Sequence, residues 1–181
     1  MDAPNQVRDL AAGAKVLEDA VTSSGQRLLD LSAASPVLLV FSRHAGCTFC
    51  REGLAELARH RAAIESSGVR IVVVHMGGMD PLFAKFGLTG IERILDSTRQ
   101  LYGTFGLKRG SWRQLFGWTV LKRGFFGGAL MRYGIGRVQG DSTQMPGWFL
   151  IQRGAIVRRF RHRSVADRPD YGVLCTRLTT D

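Results

Sequence analysis

Pro36-Val37-Leu38-Leu39-Val40-Phe41-Ser42-Arg43-His44-Ala45-Gly46-Cys47-Thr48-Phe49-Cys50-Arg51-Glu52 reads as a buried strand that runs through a small-residue turn into a helix. The two cysteines stand three apart at the start of that helix. Unpaired backbone N–H groups and the helix dipole favour an anion there, so a thiol in the first turn is held partly ionised. A C-x-x-C pair within a βαβ pattern reads as a redox motif. The i,i+3 spacing puts both residues on one face, with Cα atoms roughly 5–6 Å apart and within disulfide range.

Working outward, residues 5–23 carry Val7, Leu10, Ala14, Leu17 and Val21 at helical spacing, and Gly25 ends that run. Arg27–Ser32 is expected to be a short strand, followed by the strong strand 37–42. Residues 47–67 form a helix with Leu54, Leu57, Ala58 and Ile64 inward and Gly68 as its stop. Val69–Met76 has the continuous hydrophobicity of a buried parallel strand. Asp80-Pro81 opens a short helix, Ile91–Leu95 is a third strand, and Asp96-Ser97 precedes a helix near 98–105. Arg153-Gly154 marks a hairpin between 148–152 and 155–161, and a final helix is expected over 167–180. The order is βαβαβα, then an antiparallel pair and a last helix. That is an α/β architecture with a mixed sheet between helices, in one domain spanning 1–181.

Hydrophobic residues make up 45% and charged residues 22% of the 181, ordinary values for a globular chain. The start, Met1-Asp2-Ala3-Pro4, is polar and acidic, with no signal-peptide pattern, and no apolar run is long enough to span a bilayer. A cytoplasmic location is the default expectation. Three cysteines argue against a secreted disulfide scaffold. The net charge of +10 suits anionic partners, yet no nucleic-acid motif accompanies it, so a solvated basic face is expected and nucleic acid is not. Region 107–140 interleaves Trp112, Phe116, Trp118, Phe125 and Phe126 with Arg109, Arg113, Lys122 and Arg123. It is either an insertion packed on the domain's own core or a surface for a protein, a membrane or an anionic polymer.

Gly46-Cys47-Thr48-Phe49-Cys50-Arg51-Glu52 after a hydrophobic strand, Asp96 followed by Leu101-Tyr102-Gly103-Thr104-Phe105, and a late Gly-Trp-Phe-Leu-Ile strand together resemble the peroxiredoxin-like AhpC/TSA family, in its C-x-x-C branch. The resemblance runs from about Pro36 to Tyr171. It implies a thioredoxin-like three-layer fold and a thiol oxidoreductase acting on peroxides or disulfides, with a thioredoxin- or glutathione-type reductant. True peroxiredoxins carry Pro seven positions and Thr or Ser three positions before the peroxide-reacting Cys. Counting back from Cys47 gives Val40 and His44, and from Cys50 gives Arg43 and Cys47, so neither frame fits.

Cys47, at the helix start, is expected to be the nucleophile and the more exposed thiol, with Cys50 resolving it. Arg43 and His44 stand where they would lower the Cys47 pKa further. The resemblance makes Met145-Pro146 the cis-proline element facing the thiols, which would help guide a substrate. Arg137 is a weaker candidate for a nearby cation. His60, His75 and His162 have no partner visible in sequence, Tyr102 is expected in the core, and Cys175 reads as a buried hydrophobe. Half of a zinc site, completed by His44 and Cys175, is the alternative use of the pair. No cofactor is expected, and a homodimer is left open. A non-catalytic binding module using region 107–140 is the rival to an enzyme.

Overall fold

The computed structural model describes residues 14–126, 129–136, 138, 140–171 and 173. Helices α1 (Ala14–Glu18) and α2 (Leu28–Ala34) precede β1 (Val37–Phe41), α3 (Thr48–Ser66), β2 (Arg70–His75), α4 (Asp80–Lys85), β3 (Glu92–Leu95) and α5 (Gln100–Thr104). Region 107–140 supplies α6 (Trp112–Phe116), α7 (Trp118–Leu121), a π-turn over Lys122–Phe126, and α8 (Ala129–Tyr133). The hairpin β4 (Gly147–Gln152) and β5 (Ala155–Arg161) completes one sheet of order β3-β2-β1-β4-β5. Strands β1, β2 and β3 are parallel, while β4 runs antiparallel to both β1 and β5. Arg153 and Gly154 turn the hairpin with φ of 50° and 73°, the two positive values that suit a tight right-twisted connection.

The period-2 alternation of β1 sends its side chains to both faces of the sheet. Val37, Leu39 and Phe41 pack with Leu28, Leu31, Tyr102 and Phe105 beneath α1, α2 and α5. Leu38 and Val40 pack with Leu54, Leu57, Ile64, Leu82 and Phe83 beneath α3 and α4. This is the three-layer arrangement that the resemblance implies.

Two local expectations fail. Arg27–Ser32 is helical, because Leu28, Leu31 and Ser32 at i, i+3 and i+4 all bury against the sheet. Arg27 makes only an isolated bridge to Val21. The first helix ends at Glu18 rather than 23, and its expected start lies outside the described residues. Residues 167–170 are irregular, and the rest of the anticipated last helix, with Cys175, also lies largely outside them.

Candidate active site

Two anchors fix the end of β1 before the chain reaches the thiols. Asp96 accepts hydrogen bonds from the backbone N–H groups of Gln100 (3.0 Å), Leu101 (2.8 Å) and Tyr102 (3.1 Å), capping α5. That helix carries the fully buried Tyr102, whose hydroxyl donates to the carbonyls of Ser42 and Val74. Ser42 is thereby tied to β2, and Arg43 follows it into the site.

Cys47 is the N-cap residue of α3. The buried Arg43 donates from Nη1 to Cys47 Sγ at 3.2 Å and from Nε to the Gln144 carbonyl at 2.8 Å. A further bond from its Nη2 goes to the Ser142 carbonyl. One guanidinium therefore joins the sulfur to the loop leading into β4. Met145 shares a small apolar cluster with Cys47, Phe49, Leu115 and Val165. The described residues contain no cis peptide bond, so Met145-Pro146 is trans, against the expectation from the resemblance.

The thiols exchange their expected places. Cys47 is the deeper one, 8% exposed, whereas Cys50 is half-buried; both are free thiols. The reason is the cluster around Met145, which closes over the helix start where solvent access was expected. The hydrogen bond to Cys50, and then burial, push the Cys47 thiol well up. Burial opposes ionisation of Cys50 too. The hydrogen bond from Cys47, the Arg43 charge, and backbone hydrogen bonds at His44 and Arg43 outweigh it and bring Cys50 down to about 6. Arg43 touches Cys47, and its charge also favours an anion on Cys50.

His44 does not contribute a cation. Burial and the neighbouring Arg43 lower its pKa to about 4, and its Nδ1 is buried without a partner. Arg137 lies outside the described residues.

Cys50 opens onto a cavity of about 30 Å³ lined also by Phe49, Pro146, Trp148, His162 and Arg168. His162, just after β5, is one of the histidines for which the sequence offered no partner. Burial and then Arg168 lower its pKa to about 3, so the ring is neutral. It hydrogen-bonds the Pro146 carbonyl, while its Nδ1 is buried and unpartnered. Arg168 was read only as part of a helical turn. It donates to the Phe49 carbonyl at 2.8 Å and pairs with Glu52 and with Glu56 at 3.0 Å, fixing residues 164–171 against α3. No sequence spacing links position 168 to 52 or 162 to 50, so neither was visible beforehand.

The 107–140 region is bolted to the same helix end. Thr48 donates to the Gly134 carbonyl (2.8 Å), Arg51 to those of Ala45 (2.8 Å) and Tyr133 (3.0 Å), and Arg123 pairs with Glu52 at 3.2 Å. Its inner side, Leu115, Val120 and Ala129, is buried with Cys47.

Solved structures of similar fold include peroxiredoxins and a disulfide oxidoreductase. The bacterioferritin comigratory protein of Xanthomonas campestris is 18% identical, with 91% of this chain and 90% of that chain covered at a TM-score of 0.55. A cysteine-to-serine mutant of the peroxiredoxin 6 of Arenicola marina is 13% identical, covering 86% of this chain and 66% of that one at 0.58. A secreted disulfide oxidoreductase of Mycobacterium tuberculosis is 14% identical, covering 85% and 90% at 0.52. At these identities the likeness establishes the thioredoxin-like fold. No curated protein matches the chain by sequence. A family model described as AhpC/TSA antioxidant enzyme matches residues 56–164. That stretch begins after the thiols and runs through β2, β3, the 107–140 region and the hairpin to His162, over more than half of the sequence; the chain belongs to the AhpC/TSA antioxidant enzyme family.

Proposed function

We infer that the chain is a thiol peroxidase in which Cys50 attacks and Cys47 resolves. The observation that carries this is the placement of the two sulfurs: Cys50 is half-buried and lines the cavity, whereas Cys47 lies deeper. A volume near 30 Å³ exceeds the roughly 10–15 Å³ that one water needs, and so suits the two oxygens of a hydroperoxide. Counted from Cys50, the position three residues earlier holds Cys47 rather than the family's hydroxyl residue. Its S–H donates to the Cys50 sulfur, the bond that holds the anion in place.

The Cys50 thiolate attacks one peroxide oxygen, the O–O bond breaks, and the departing oxygen takes up a proton as water or alcohol. Cys50 is left as a sulfenic acid. The Cys47 thiol then condenses with it, releasing water and forming the disulfide. An external dithiol, or two monothiols, supplies the two electrons that restore the pair. Neutral His162 lines the same cavity, with its Nδ1 buried and unpartnered. Arg43 positions the Cys47 sulfur and the loop through Ser142 and Gln144.

Hydrogen peroxide added to the reduced protein is expected to remove two thiols per chain. Cys50→Ser abolishes the reaction, whereas Cys47→Ser consumes one peroxide and leaves a sulfenic acid that a 1,3-dione traps at position 50. Trapping at Cys47 in the Cys50→Ser protein, at an undiminished rate, reverses the roles. Loss of both thiols to a protein disulfide but not to peroxide makes the chain a disulfide oxidoreductase instead.

A further inference from the structure

The outer side of the 107–140 region has no partner in the fold. Trp112 is 76%, Trp118 74%, Phe126 82% and Met131 89% exposed, and Phe116, Phe125 and Ile135 stand out beside them. Trp112 and Phe116 are neighbours one turn apart, their rings tilted by 38° with centroids at 4.5 Å. Trp118, Leu121 and Phe125 follow at i, i+3 and i+7, while Leu115 and Val120 point the other way into the protein. An apolar surface of this density marks a contact site.

The charge around it selects the occupant. From residue 97 to residue 140 the sequence has no Asp or Glu and eight Lys or Arg. Lys108, Arg113, Lys122 and Arg132 are exposed within it and make no ion pair among the described residues. Two copies of so basic a face repel each other, which disfavours a dimer through it. Aromatics that stand out between lysines and arginines match the boundary of an anionic bilayer, where rings enter the acyl region and cations meet headgroups.

We propose that this face docks the protein peripherally on anionic phospholipid membranes. The bonds from Thr48, Arg51 and Arg123 fix the face to the first turns of α3, so docking brings the thiol end of the molecule to the lipid surface. No helix among the described residues is long and apolar enough to cross a membrane, consistent with attachment from one side.

Reduced full-length protein is incubated with vesicles of phosphatidylcholine alone and of phosphatidylcholine mixed with phosphatidylglycerol, and then sedimented. Binding is expected only to the mixed vesicles, with a blue shift of tryptophan emission and release at high salt. Trp118→Ser/Phe126→Ser, and separately Trp112→Ser, lower the bound fraction about tenfold in the first case and less in the second. Cys47→Ser/Cys50→Ser binds like the parent protein, which separates this proposal from the thiol chemistry. Three results overturn it: no binding to the mixed vesicles, binding without an emission shift that survives the aromatic replacements, or a dimer in vesicle-free solution that those replacements dissociate.

Discussion

Cys50 is acidic because its neighbours outweigh its burial. Desolvation alone raises a thiol pKa; here a donated S–H, one guanidinium and the backbone around Arg43 and His44 reverse the sign. Alkylation of the reduced protein by iodoacetamide, read by peptide mass, should label Cys50 first, with a half-maximal rate near pH 6. Arg43→Gln should raise that midpoint by about 1 unit or more, since a cation beside a sulfur is worth 1–3 units. Arg43→Lys keeps the charge and should leave the midpoint near that of the parent protein while loosening the Gln144 and Ser142 contacts. A midpoint in the ordinary thiol range for the unmutated protein would remove the ionised sulfur from the mechanism.

At the scale of elements, α5 is short and survives through its cap. Five residues cannot form a stable helix by themselves. The buried Asp96 carboxylate holds three of its orphan N–H groups, and Tyr102 then ties β1 to β2. Asp96→Ala is expected to cost about 1–2 kcal/mol in urea unfolding, and Tyr102→Phe about 1 kcal/mol. Both should also slow Cys50 labelling less than they destabilise the fold, because neither touches sulfur. Gly117, between α6 and α7, has a comparable geometric duty: a Cβ there would lie 2.2 Å from the Arg113 carbonyl, so no larger residue fits that junction.

Over the whole molecule, three buried groups share one pH signature. The native pKa of Cys50 is about 6 against 9.0 for a free thiol, and those of His44 and His162 are about 4 and about 3 against 6.5. In each case the folded value is depressed, so the unfolded chain binds more protons and the contribution to stability is lost as pH falls. The Cys50 contribution fades from about 9 down through 6, and the histidine contributions from 6.5 down through 4 and 3. Cys47 is raised instead and works against stability above its unfolded value. The urea midpoint of the reduced protein should therefore peak near the ordinary thiol pKa and fall on the acid side. In His162→Phe the acid limb should be shallower. A midpoint flat across this range contradicts the burial of these groups as neutral rings and one thiolate.

Local patterning determined most of the architecture. The apolar run at 37–41, the β-branched run at 71–74 and the Arg153-Gly154 turn each bury or bend in only one sensible way, so these strands and the hairpin were readable along the chain, while the sheet order came from the fold. The C-x-x-C at a strand-to-helix junction located the chemistry for the same reason. Arg27–Ser32 was misread because six residues carry too little periodicity to separate strand from helix until Leu28 and Leu31 find the sheet. Which sulfur is exposed, the neutrality of His44 and His162, and the clamp of Glu52 by Arg123 and Arg168 were decided only by folding. The Glu52 clamp joins groups 71 and 116 positions apart, brought into contact by packing that no local spacing encodes.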